Sequence, residues 1–524
     1  MFYICSMSDL QVIWFQRDLR LHDHLALAAA CAGSGPVLPV YVFDPAIWTP
    51  QETSARQFDF LLESLADLDS ALRKRGSSLC LRSGPAAEVF SQLHRHHGIA
   101  AIHAHAVTGR DAELARDRQV QAWALKAGIP LRIQTPPGMP ANAAQKNNWQ
   151  ALWEASIQHK RAAAPEALSA HGVISEDWPD AEDFGLAADV CPGRPAGGRT
   201  QAVLNLRHFL SGGGRDYGKP NLSASQRMSS DPDLSAHLAF GTLSAREIWQ
   251  GIAQSRRALL EDGDSVFAMS LAAYADTLQQ RSMDVQAALE RTSVSGQRHF
   301  LPGDTYDRQE AGAGNAHLEA LLHARTGFPL LDASMRCLRE TGRLEQSLMG
   351  LLLSFTAAHL WLHPEEPARQ LSRLCVDFDP ASFYAHARKL PGIAPDKGAY
   401  IPNPVRQSLT LDPGGNFIRR WLPELTALSD RHIHAPWDAP KTELAEAGIV
   451  LGQTYPMRMV DHMAAAREAR SRFAPKAARA NSSRPIIRES SHERPFRPAE
   501  PPRPRSRLRP PPPKSAPLQM SLDL

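Results

Sequence analysis

Short apolar runs rich in β-branched residues alternate with stretches of helical periodicity through residues 8–135. The runs are "QVIWF", "PVLPVYVF", "SSLCLRS", "IAAIHAHA" and "LRIQT". Between them, "SARQFDFLLESLADLDSALRKRG" puts Phe58, Leu61, Leu62, Leu65, Leu68 and Leu72 on one face, with Gly76 as a C-terminal stop. Alternation of this kind predicts a parallel, doubly wound sheet. Residues 136–200 are rich in Pro, Gly, Ala and Asp and predict a long connector with one helix around "NNWQALWEASIQHKR". From 201 to 470 the strand signals vanish. Leu344, Leu348, Leu351, Leu352, Phe355, His359 and Leu362 keep helical spacing, and Pro329 suits the first turn of the helix before them. The expected architecture is therefore α/β followed by all-α.

Composition adds a fourth segment. The chain has 524 residues, 43% of them hydrophobic, enough for about three domains at roughly 100–200 residues each. Residues 471–524 hold twelve Lys or Arg against four acids, a local +8 within a total of +3, so residues 1–470 carry −5. The run "RPAEPPRPRSRLRPPPPK" cannot supply a core and predicts a disordered basic arm. Six scattered cysteines without a CxxC pair argue against a disulfide framework or a zinc or iron–sulfur site and suit a reduced cytoplasm. The start lacks a basic leader. The longest apolar stretch, Leu348 to Leu362, is broken by Ser354, Thr356 and His359, so neither export nor a membrane span is expected. His359 and His363 lie four apart, a spacing that can bind zinc, but no third ligand is evident and no metal is expected. His94, His96 and His97 read as a helix end, where imidazolium complements the dipole.

Five segments carry a resemblance. "VIWFQRDLRLHDHLAL", "HLAFGTLSAREIW", "TGFPLLDASMRCLRETG", "IPNPVRQSLTLDPGGNFIRRWLPEL" and "IHAPW" resemble landmarks of the DNA photolyase/cryptochrome family, in the same order, over roughly residues 10 to 440. The resemblance implies an α/β domain that sometimes carries an antenna chromophore, and a helical domain that holds a U-shaped FAD. In photolyases the photoexcited reduced flavin passes an electron to a pyrimidine dimer flipped out of DNA. DNA is the implied partner, and the identity of any antenna stays unknown.

Carried over residue by residue, the resemblance places Tyr217 and Leu234-Ser235 where the family grips the flavin pyrophosphate, and Asp377 and Asp379 beside the flavin and its ribityl chain. Gln346 replaces an asparagine of the family pattern, and Phe383 replaces the polar residue that usually faces flavin N5. Asp231-Pro232-Asp233 stands where small hydroxyl residues cradle the pyrophosphate. A carboxylate about 4 Å from a phosphate would repel it by roughly 4 kcal/mol at an effective dielectric of 20. Either these side chains turn away, a cation bridges them, or flavin binding is weak. Met349 replaces an arginine that can pair with the first acid, so a buried Asp377 must find another donor or stay protonated.

On the lesion side Ser270 stands for a glutamate that bonds the dimer, and Ala273 and Lys389 stand for stacking tryptophans. Ser347 and Gly350 replace an arginine and a methionine, while Ala387 and Pro364 fall at two tryptophans of the electron-transfer chain. Glu113 matches a position that can contact a folate antenna, with Ala112 in place of the neighbouring asparagine; a solvated helix residue is the expectation there. The final "QMSLDL" resembles the bacterial sliding-clamp-binding hexapeptide, with Gln519 at a pocket rim and Met520, Leu522 and Leu524 as apolar anchors. Three readings stay open: a DNA-associated family member with degraded or altered repair chemistry, an active FAD-dependent photolyase or blue-light photoreceptor with a rebuilt pocket, and a non-catalytic clamp adaptor.

Overall fold

The computed structural model describes residues 10–49, 51, 53–106, 108–139, 148–295, 308–309, 315–393 and 400–473. Five strands form one sheet: β1 Gln11–Phe15, β2 Val37–Phe43, β3 Cys80–Ser83, β4 Ala101–His105 and β5 Leu131–Gln134. All neighbours are parallel, in the order β3-β2-β1-β4-β5, so the winding reverses between β1 and β4. Ile13 and Phe15 of β1 join the core under helix Ala55–Arg73, whereas Val12 and Trp14 join the core under helix Ala86–His97. Alternate side chains thus enter two covered faces, which is why the strands read as continuous apolar runs. The connector carries the expected helix, Trp149–Gln158. It also covers the β3 edge: Glu176 N–H donates to Leu81 O at 3.1 Å, and Leu81 N–H donates to Ser175 Oγ at 2.9 Å.

The remainder is helical, from Arg199–His208 to His462–Phe473. Helix Pro329–Thr341 has its proline in the first turn and stops at Gly342, whose φ of +67° is left-handed. The next helix, Gln346–Ala358, buries Leu348, Leu351, Leu352 and Phe355, but it is shorter than the periodic pattern. Leu344 precedes it, His359 caps it, and Leu362 lies past Trp361, whose φ is +52°. There Gln309 N–H donates to Trp361 O and His363 N–H donates to Gln309 O, at 3.1 and 2.8 Å, so tertiary bonds replace helical ones. His359 and His363 therefore share no helix, and the His359 ring stacks on Phe355. Residues 471–473, expected to start the disordered arm, complete the last helix, and the rest of the arm lies outside the described residues. Gln519, Met520, Leu522 and Leu524 lie outside the described residues. Among the described residues no helix is long and apolar enough to cross a membrane.

The loop after β1 docks the two halves together. Leu19 N–H donates to Phe240 O at 3.2 Å, Arg20 donates to Gly241 O at 2.8 Å, and the buried Asp23 accepts from Ser244 Oγ at 2.6 Å and Arg246 at 2.9 Å. From helix Ala55–Arg73, Arg56 donates to Leu338 O and Leu374 O, and Gln57 to Ser372 O and Cys375 O. Residues up to Phe473 consequently form one compact unit.

Candidate functional site

Two adjoining cavities open in the helical half, about 500 Å³ and about 370 Å³ in volume. Both volumes fall within the range of small-molecule and cofactor sites. They share Tyr217, Asp231, Ser235, Thr277, Gln346 and Asp377 among their walls. Helix Ser265–Ser295 supplies one wall at helical spacing, with Tyr274, Thr277, Arg281 and Asp284 facing inward. Asp379 and Phe383 line the second cavity. Of the residues expected from sequence, Leu234 alone is displaced: it is fully buried in the core beneath, at the start of helix Ser235–Ala239.

The first cavity is lined by three cations, Lys219, Arg227 and Arg343, against the acids Asp231, Glu345 and Asp377. Arg343 pairs with Asp233. A cation of the chain itself thus answers one of the two carboxylates that would repel a pyrophosphate. Asp231 Oδ1 accepts the N–H of Asp233 at 2.9 Å, folding the segment into a tight turn in which Asp233 has φ +54°. The Asp231 carboxyl opens onto the cavity yet is hemmed in by its walls. Burial raises its pKa to about 6, Arg343 opposes the shift, and Asp377 and Glu345 reinforce it. Glu345 caps helix Gln346–Ala358, accepting from Ser347 N–H at 2.8 Å and Leu348 N–H at 3.2 Å. Tyr217 OH lies 3.1 Å from Thr277 Oγ1.

With Met349 in place of an arginine, burial raises the Asp377 pKa above the usual carboxylate value, and Ser235 and the Arg343 charge oppose the rise. The neutral, protonated form is thereby favoured. Asp379 is engaged on both oxygens. Oδ1 accepts from Ala381 N–H and Ser382 N–H at 3.0 and 3.4 Å, capping helix Pro380–Ala387, while Oδ2 meets Arg281. Phe383 packs edge-on against Phe378, centroids 5.4 Å apart. Gln346 donates its amide to His386 Nδ1 at 3.1 Å. Sequence reading missed Lys219, Arg227, Arg281, Arg343 and His386. For Arg281 a signal existed, since it lies seven residues after Tyr274 on the same helical face.

The positions matched to lesion binding hold something different. Ser270 is buried and donates to Arg215 O at 2.8 Å; Ala273 offers a methyl group; Lys389 lies 3.3 Å from Asp284. Gly350 gives its space to Leu390 and the His386 ring, since a Cβ there would stand 3.1 Å from Leu390 Cδ2 and 3.2 Å from His386 Nε2. Ala387 is fully buried, and Pro364 caps helix Glu365–Leu374.

Glu113 is not the solvated residue expected. It is buried at the third position of helix Asp111–Ala127, where its Oε1 accepts from Arg17 at 2.9 Å and its Oε2 from Arg110 N–H at 2.6 Å. Burial alone would raise its pKa, but Arg17, Arg110 and Arg116 hold it down at about 2. The void beside it is only about 30 Å³, room for about one water, so these residues do not fit an antenna chromophore. Asp18, His24 and His105 form a buried cluster nearby. His24 Nδ1 accepts the N–H of Leu27, so the proton sits on Nε2, which faces Asp18 at 2.9 Å, and His105 Nδ1 faces the same oxygen at 2.7 Å. A metal would have to displace both protons, and hydrogen bonding within the cluster is the better account.

Residues 11–136 match the family model described as DNA photolyase, and residues 274–475 match the FAD binding domain of DNA photolyase. The chain is 29% identical over 493 residues to a deoxyribodipyrimidine photo-lyase of Agrobacterium fabrum, covering 88% of this chain and 97% of that one. It is 27% identical to a cryptochrome DASH of Gloeobacter violaceus, covering 87% and 95%. Among solved structures, the class III photolyase of Agrobacterium tumefaciens superposes with a TM-score of 0.72 at 25% identity, over 92% of this chain and all of that one.

The Asp231 geometry sets a pH dependence for a pyrophosphate-bearing cofactor such as FAD. Below about 6 the carboxyl is neutral, and above it the ionised form repels phosphate. Titration of apoprotein with FAD should show affinity at least about tenfold tighter at pH 5.5 than at pH 7.5, and Asp231→Asn should remove the difference. A wild-type affinity flat across that range contradicts the assignment.

Proposed function

The chain belongs to the DNA photolyase and cryptochrome family, and from that premise we propose a cytoplasmic, FAD-binding, DNA-associated member in which light-driven dimer splitting is lost or altered. One observation carries the reading: none of Ser270, Ala273 and Lys389 offers the cavity a free carboxylate or an aromatic ring. A stacking ring is worth ~1–3 kcal/mol per base, so the loss of two leaves little to hold a flipped dimer.

The cofactor side supports retention of FAD. Lys219, Arg227 and Arg343 would take the pyrophosphate, and Ser235 and Asp377 the hydroxyl or N–H groups beside it. When bound and reduced, the flavin supplies light-driven one-electron donation. The chain's own residues bind and orient it: the Asp379 cap and Arg281 hold one wall, and Phe383 gives an apolar face where the family pattern has a polar contact.

The substituted positions are compensated rather than orphaned, which favours altered over decayed. Gln346 and His386 bond each other, Lys389 faces Asp284, and Gly350 admits the His386 ring. An active photolyase or photoreceptor built on the same pocket is separated by assay. Reduced protein illuminated with dimer-containing single-stranded DNA should restore no pyrimidine absorbance beyond a protein-free control. Turnover limited only by photon capture overturns the reading.

The final hexapeptide supports a second reading, a tether to the sliding clamp through Gln519, Met520, Leu522 and Leu524. Six residues that pay ordering entropy on docking should bind with Kd of about micromolar or weaker. Fluorescence anisotropy of a peptide covering residues 505–524 against a bacterial clamp should show that binding, and replacing Gln519 and Leu522 by Ala should abolish it. No binding at high micromolar clamp removes the tether.

A further inference from the structure

Four buried or half-buried charges alternate in sign from the α/β half to the cavity wall: Glu113, Arg17, Asp379 and Arg281. Glu113 and Arg17 bond at 2.9 Å, with side chains only 7% and 16% exposed. Nη1 of Arg17 donates to the main chain of the helical half, at Phe378 O (3.4 Å) and Ala239 O (3.5 Å). Asp379 raises the Arg17 pKa by its charge, as Glu113 does, against the burial that would lower it. Asp379 in turn meets Arg281 and caps helix Pro380–Ala387. Arg110, whose N–H Glu113 holds, lays its guanidinium over the Phe378 ring at 4.6 Å. Neither Glu113 nor Arg17 lines either of the two large cavities, but Phe378 and Asp379 line the second.

We propose that Glu113 and Arg17 are positioning residues for the cavity, fixing the Phe378–Asp379 turn through this chain of charges. Glu113 holds Arg17 away from Asp379. With Glu113 neutral, Arg17 is drawn toward the Asp379 carboxylate, competes with Arg281 and loosens the helix cap. At low local dielectric such a rearrangement is barely screened. The same cluster fills the space beside Glu113, so the site exchanges a chromophore contact for a strut.

The inference rests on FAD occupying the cavity, and its test separates the two. Calorimetric titration of full-length apoprotein with FAD should show Glu113→Gln weakening binding at least about fivefold, a typical coupling magnitude. In an Asp379→Asn background the same substitution should change affinity less than about twofold, because the route through Asp379 is gone. Glu63→Gln breaks another ion pair of the α/β half, with Arg194 at 2.5 Å, and should leave FAD affinity unchanged. In the ligand-free protein, amide exchange at Ala381 and Ser382 should accelerate in Glu113→Gln but not in Glu63→Gln. A fivefold loss that persists in the Asp379→Asn background overturns the proposal, as does unchanged exchange at those two amides. If the wild type binds no FAD, the cofactor reading fails and the exchange experiment alone decides.

Discussion

Contact between the loop after β1 and the turn at Gly241 is the constraint on which the other features depend. Gly241 has φ +68°, and a Cβ there would collide with the backbone of Arg17 and come within 2.6 Å of Asp18 Cα. Left-handed backbone and backbone-on-backbone approach both demand glycine. A side chain at this point would cost about 2–4 kcal/mol by overpacking and strain. Closure there lets Asp23 receive Ser244 and Arg246, lets Arg17 reach Phe378, and so sets the wall of the cavity against the sheet.

The family-like segment around Asp332 turns out to be scaffold. In "TGFPLLDASMRCLRETG" the buried Asp332 accepts from Thr326 N–H and Oγ1, from Gly327 N–H and from Tyr455 OH, all at 2.7–3.0 Å. Gly327, at φ +75°, lies against the backbone of Met457 and Arg458 with no room for a Cβ. These residues tie the last part of the chain to the central helices and touch neither large cavity. Retention of the motif therefore says that the framework closes, and leaves the reaction to be read from the cavity.

Strands, crossovers and most helices were legible because burial follows local periodicity. Both faces of the sheet are covered, so β1 and β2 read as apolar runs, and Pro329 and Gly342 mark a helix at both ends. Tertiary bonding escaped that logic. The periodic stretch through His359 and Leu362 looked like one helix, but Gln309 captures the main chain at Trp361 and His363. Motif carry-over named Tyr217, Ser235, Asp377 and Asp379, and all four line the cavities. The site was hidden where the partner lies far along the chain: Arg281 is 98 residues from Asp379, and Arg17 is 96 from Glu113. Asp233 read as hostile to a pyrophosphate because its partner Arg343, 110 residues along the chain, could not be paired with it from sequence.

On the proposed reading the cavity keeps a cofactor side and rewrites a substrate side. Cations face the first cavity, whereas the rim of the second is held by hydrogen bonds among Gln346, His386, Lys389 and Asp284. The most direct measurement of that division is the ratio of dissociation constants, at one salt concentration, for single-stranded DNA with and without a pyrimidine dimer. Phosphate attraction is common to both ligands, so the ratio isolates the pocket. The account predicts a ratio within about twofold of one, because Ser270, Ala273 and Lys389 offer the lesion neither a carboxylate nor a stacking ring. A preference of about a hundredfold or more for the damaged strand, equivalent to about 2.7 kcal/mol, would contradict it.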